Sequence, residues 1–145
     1  MATDTTTEFD QSLIDCFEGI ACVRSGAGRE GWNGINYNTG LNKQTVGTNV
    51  LSMNLAMVPP GGVAKAHIHV GFEVGLYIIS GQVEHHYGPG LTERLVNGAG
   101  DFIFIDAGLP HEVYNLSDTE PVIAVVARTS PNQWDEIVPY EVGAE

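Results

Sequence analysis

Short runs of alternating apolar residues, each closed by glycine, proline, asparagine or serine, constrain this chain more than any other feature. Leu51, Met53, Leu55 and Met57 alternate with Ser52, Asn54, Ala56 and Val58, the period of a strand with one face turned to a core. Pro59-Pro60-Gly61-Gly62 ends that run. Further runs follow at 74–79, 82–87, 102–105, 112–116 and 122–128, and helical periodicity is weak everywhere. Many short strands at regular spacing predict an all-β domain, an antiparallel jelly-roll barrel or sandwich. The glycine-rich stretch 9–45 is expected to wrap it as an edge strand and irregular loops. A chain of 145 residues suffices for one core, so 9–145 reads as a single domain and the Thr-rich residues 1–8 as a flexible tail.

Charge narrows the partners. Eighteen acidic against six basic residues leave a net charge of −12, which excludes a nucleic-acid face and disfavours anionic membranes. The N-terminus has neither a basic nor an apolar segment, and the longest apolar run, 122–127, is far short of a membrane span. A cytoplasmic protein is expected. Cys16 and Cys22 fit neither a redox pair nor a zinc ribbon and read as two reduced, buried thiols.

His67 and His69 are one residue apart on an expected strand, so both imidazoles leave the same face and can converge on one ion. Ile68 faces the other way. Around them run Gly61, His67, His69, Glu73 and Gly81, and a second segment carries Gly100, Asp106, Gly108, His111 and Asn115. These two segments resemble the paired signature motifs of the cupin superfamily, over about residues 51–128. The resemblance implies a small jelly-roll barrel with a metal ion held by His67, His69 and His111.

Two departures from the motifs matter. Glu73 lies one residue further from Gly81 than the motif's glutamate does, and a slip of one turns a strand side chain to the opposite face. Glu73 can then be a ligand only through a bulge, and Val74, Leu76 and Ile78 are expected inward. Reading Ser80-Gly81 as a two-residue hairpin turn pairs Leu76 with His85 and Ile78 with Val83. His85 is thereby placed near the vacated carboxylate position as a fourth ligand, and a register error of one would exchange it for His86. The second departure is Asp106 where the motif has proline; its ordinary role is a turn residue. Glu73 and Asp106 are candidate general bases beside a metal-bound water.

Four neutral imidazoles leave the full +2 on a divalent ion, a stronger Lewis acid than a site that includes a carboxylate. That favours zinc, with Fe(II) or Ni(II) as alternatives. Parity places Met53, Leu55, Met57, Val74, Leu76, Ile78, Val83 and Val113 in the pocket, with Tyr37, Phe102, Phe104 and Trp134 as wall or rim. None of the six basic residues reads as inward, which disfavours a phosphorylated substrate. The segments 67–77 and 83–87 and the chain length are similar to the small cupin-type cyclases of aromatic polyketide pathways. That resemblance implies intramolecular aldol closure and dehydration of an apolar poly-β-ketone, free or carrier-bound, by a homodimer. The competing readings are an Fe(II)-dependent dioxygenase, a sugar or uronate isomerase, and a metal-stabilised binding module without catalysis.

Overall fold

The computed structural model describes residues 10–24, 26, 28–30, 33–132 and 137–142. The expected tail, residues 1–8, and Trp134 lie outside them. A hairpin of β1 (Ile14–Phe17) and β2 (Ile20–Val23) precedes the barrel and leaves Cys16 exposed and Cys22 half-buried, so the buried-thiol expectation fails at Cys16. Then come β3 (Gly28–Glu30), β4 (Asn36–Leu41), a one-turn helix α1 (Lys43–Val46) and β5 (Ser52–Val58). β6 (Val63–His69), β7 (Val74–Ser80), β8 (Gln82–Tyr87) and β9 (Glu93–Gly98) follow, then β10 (Phe102–Ile105), β11 (His111–Asn115), β12 (Val122–Arg128) and β13 (Ile137–Pro139). Among the described residues no helix is long and apolar enough to cross a membrane.

Two antiparallel sheets face each other, ordered β10-β7-β12-β5-β4-β3 and β13-β6-β11-β8-β9. This is the expected all-β jelly roll. From β5 to β12 the chain runs back and forth between two ends. Register places Ser52, Val74, Ile105 and Arg128 level at one end of the first sheet. His67, Tyr87 and His111 are level at the same end of the second. Strands running from β5 to β12 thus deliver the motif histidines to one end of the interior.

The two-residue hairpin expected at Ser80-Gly81 does not form. β7 pairs with β10 and β12, β8 pairs with β11 and β9, and Gly81 carries the chain from one sheet to the other. Ile78, Val83 and His85 are nevertheless buried, because the corner keeps both faces pointed into the same interior.

The face assigned to β5 is reversed. Ser52, Asn54, Ala56 and Val58 are buried, Met53 and Leu55 are exposed, and Met57 is half-buried on the outside. Those three residues therefore leave the expected pocket. A period of two shows that the faces differ but not which is inside. Here the interior already holds Phe72, Val74, Ile78 and Val126, and small residues on β5 make room for them. Phe102 and Phe104, expected at the rim, also point outward, 81% and 61% exposed.

Gly81 adopts φ +95°, and a Cβ there would stand 2.9 Å from Val122 Cα. Gly81→Ala is expected to cost about 2–4 kcal/mol from backbone strain and overpacking together. Gly100 has a similar φ of +93° but open space around it, so Gly100→Ala should cost clearly less. Urea denaturation of the two variants checks the difference.

Candidate metal centre

His67 and His69 leave β6 on its inner face, and His111 opens β11 directly opposite His67. All three are buried, and one ring nitrogen from each lies within 4.8 Å of the others. Ring centroids stand 5.0 Å apart for His67–His69, 4.3 Å for His67–His111 and 4.7 Å for His69–His111. Phe72 packs against His69 at 5.1 Å and closes that side with a hydrocarbon face.

The backbone sets the tautomers. His67 Nδ1 is 2.6 Å from the Lys65 carbonyl oxygen, and His111 Nδ1 is 2.9 Å from that of Leu109. A carbonyl only accepts, so each Nδ1 carries the proton and each Nε2 keeps its lone pair. Such outer hydrogen bonds orient metal-ligating histidines. His69 Nδ1 is buried with no hydrogen-bond partner. Neutral imidazoles gathered this way fit a divalent ion, and the group can hold one.

The electrostatics agree. Burial, with the neighbouring His111, His67 and Arg128 charges, pushes His69 down to about 2. Burial, with His67, brings His111 to about 3 against the opposing Leu109 carbonyl. His67 is lowered by burial, with the Lys65 carbonyl opposing. The rings are neutral in the folded chain.

His85 lies outside this group. It is opposite Val113 on β11 while Tyr87 is opposite His111, so His85 sits one step deeper on the same inner face. Its Nδ1 donates to Asn97 Oδ1 at 2.8 Å, leaving a buried Nε2 with no partner. Burial lowers its pKa, and Asn97 opposes that. Below it is a cavity of about 70 Å³ lined by Leu76, Ile78, Val83, Val113 and other apolar residues. Val74 is buried in the neighbouring cluster with Phe72 and Tyr37. His86 points out of the barrel, 3.1 Å from Glu84 and stacked on Tyr114 at 4.2 Å.

The Glu73 and Asp106 side chains are both exposed, so neither reaches the buried histidines as a base. The largest departure from expectation is a buried cation. Arg128, thought not to face inward, is 4% exposed, and its guanidinium lies 5.7 Å from the Tyr37 ring centroid. Both faces of β12 are apolar up to Ala127, so periodicity carried no sign of which side Arg128 would take.

The cupin domain profile matches residues 54–128, more than half of the chain. The chain is a cupin. No curated protein matches it. Lactobacillus farciminis oxalate decarboxylase in its formate complex superposes with a TM-score of 0.66 at 18% identity, over 78% of this cupin and 33% of that chain. A recombinant oxalate oxidase in complex with glycolate gives 0.62 at 27% identity, over 76% and 59%. A Klebsiella pneumoniae protein with a double-stranded β-helix domain gives 0.62 at 24% identity, over 78% and 90%. This cupin thus spans less than two-thirds of either oxalate enzyme, and the matches at 18% and 24% identity show the fold.

A pH dependence follows. Below the ordinary imidazole value of 6.5 the unfolded chain binds protons that the folded, metal-free chain refuses at His69 and His111. Their contribution to stability is fully present above pH 6.5 and is lost as pH falls toward 3, by up to about 1.4 kcal/mol per pH unit for each ring. Urea midpoints of the metal-free protein should decline from pH 6.5 to pH 5, before carboxylates titrate. A flat profile would show the rings to be solvated.

Proposed function

We propose that this cupin is a metal-dependent enzyme that activates a small substrate through a carbonyl oxygen, with the ion held by His67, His69 and His111. The observation that carries the reading is the donor set: two Nδ1–H groups pinned to backbone carbonyls, and Glu73 turned to solvent. A divalent ion held by His67, His69 and His111 without a carboxylate would keep its full charge and would supply Lewis-acid chemistry toward a carbonyl oxygen. The chain's own residues supply the rest. Phe72 covers one side of His69 with a hydrocarbon face, and Asn97 holds His85 with its bare Nε2 inward. His85 is in this reading the fourth ligand, reached by a small shift from its place one step below His111.

Aldol ring closure of a poly-β-ketone is the finer form of the same chemistry, and the apolar lining of Val74, Leu76, Ile78 and Val83 suits it. The cavity of about 70 Å³ beside His85 is lined by Leu76, Ile78 and Val83 and not by His67, His69 or His111. The oxalate oxidase whose structure holds glycolate supports a small, oxygen-rich substrate. The reading therefore rests on carbonyl activation, with zinc as the preferred ion.

Elemental analysis of protein purified without added metal should find one divalent ion per chain. His67→Ala and His111→Ala should lose it, and His85→Ala should weaken its retention. The loaded protein should exchange the α-protons of pyruvate with deuterium from solvent without oxygen, at a rate the histidine variants lose at least tenfold. Bound iron with oxygen uptake would replace this reading with the dioxygenase one. Metal without any turnover would favour a binding module.

A further inference from the structure

The cavity of about 70 Å³ beside His85 lies between the sheets, with Ile78 on β7, Ala124 on β12, Val83 on β8 and Val113 on β11 in its wall. Close-packed interiors leave few voids larger than a water molecule, and a void destabilises in proportion to its volume. Among the described residues of that wall, the one polar side chain is His85, 4% exposed. Its Nδ1 donates to Asn97 Oδ1 at 2.8 Å, which fixes the tautomer and leaves the lone pair on Nε2. That atom is buried without a hydrogen-bond partner. Orphaned buried polar atoms are exceptions in folded proteins, and one facing a cavity marks a missing guest.

The chemistry of the wall specifies that guest. An acceptor with no donor beside it selects a molecule that brings an O–H or N–H of its own. Water is a poor occupant, because buried water makes about three hydrogen bonds and the side chains here offer one. Ions are refused, since hydrocarbon on every other side supplies nothing to replace their hydration. What fits is a small neutral molecule with one donor and an apolar remainder. A water takes about 30 Å³ in the liquid, so the cavity matches roughly two to three non-hydrogen atoms.

We propose that this cavity is a binding site for a one- or two-carbon alcohol, whose hydroxyl donates to His85 Nε2 and whose carbon end lies against Ile78, Val83 and Val113. The site is distinct from the three histidines, which do not line it. It meets the metal-enzyme reading at one atom, and its regulatory consequence rests on that reading. Nε2 has a single lone pair, so a guest in the cavity and a metal ion cannot hold His85 at once. Linkage makes the antagonism reciprocal: the alcohol weakens retention of the ion, and the ion weakens binding of the alcohol by the same factor. Small alcohols are thereby selected as antagonists of the fourth ligand.

Ethanol is the probe, and dimethyl ether, its isomer without a donor, is the control. NMR titration of the full chain stripped of metal by chelation should give saturable shifts of the Val83 and Val113 methyl resonances with ethanol. The His85 Nε2 resonance should move with them. Dimethyl ether should bind at least fivefold more weakly, because it leaves Nε2 unpaired, and His85→Leu should erase that preference. Ala124→Val adds two methyl groups to the wall and should abolish ethanol binding, raise the melting temperature and leave zinc binding unchanged. Zinc loading of the wild-type chain should weaken ethanol binding at least fivefold. Equal binding of the two isomers, or no saturable shift, as in a cavity that holds water only, overturns the site. Undiminished ethanol binding in Ala124→Val does the same, and this variant carries the test if His85→Leu does not fold. Ethanol binding indifferent to zinc overturns the antagonism. A wild-type chain that takes up no metal would overturn the enzyme reading instead, because ethanol binding is read on the metal-free protein.

Discussion

Three imidazoles with ring nitrogens within 4.8 Å of one another inside a barrel cannot all carry protons. Each charged ring would face both burial and its like-charged neighbours, and both effects push the pKa down. For two of these neutral rings strand geometry gives the remaining N–H group somewhere to go. His67 and His111 each turn Nδ1 back onto a carbonyl two residues earlier in their own chain segment. That local bond fixes the ring, the tautomer and the direction of the free lone pair. A group of neutral donors aimed inward is what a divalent cation requires, so the cost of burying the rings and the capacity to bind metal have one origin.

The second sheet supplies the histidines and the first supplies what faces them. Corner residues couple the two. At Gly81 the chain leaves β7 for β8, and the turn keeps Ile78, Val83 and His85 on a common interior although their strands belong to different sheets. At the other end, Phe72 in the His69–Val74 connection packs on His69 and joins the cluster containing Tyr37 and Val126. Arg128 rests its guanidinium against the same Tyr37. Positioning of the centre therefore depends on contacts that cross the barrel.

What the residues reveal and conceal divides along physical lines. Strands were legible where turns bracket them and where glycine spacing matches the motifs; the shared face of His67 and His69 followed from parity, the place of His111 from the motif resemblance, and the inward His85 from a cross-strand pairing that the structure does not form. Parity alone misled on β5, where both phases contain apolar residues and the small ones went inside. It was silent on β12 for the same reason, which hid Arg128. The hairpin was inferred from a local turn signal, but the partner of a strand is decided by the whole sheet. β9, Glu93–Gly98, carries too few apolar residues to be read as a strand, yet it contributes the Asn97 that orients His85.

An inward cation changes how the interior should be understood. The interior is not uniformly oily: the buried histidines stand on one sheet, and Arg128, Ser52 and Asn54 are buried on the other. The inner residues of β5 near the buried Arg128 are small: Ser52 is its direct partner in the register, and Ala56 is opposite the Tyr37 against which the guanidinium rests. The face that parity misread on β5 and the cation it concealed on β12 belong to one packing arrangement, in which Met53 and Leu55 turn outward and Ser52 and Asn54 line the interior on the sheet that buries Arg128.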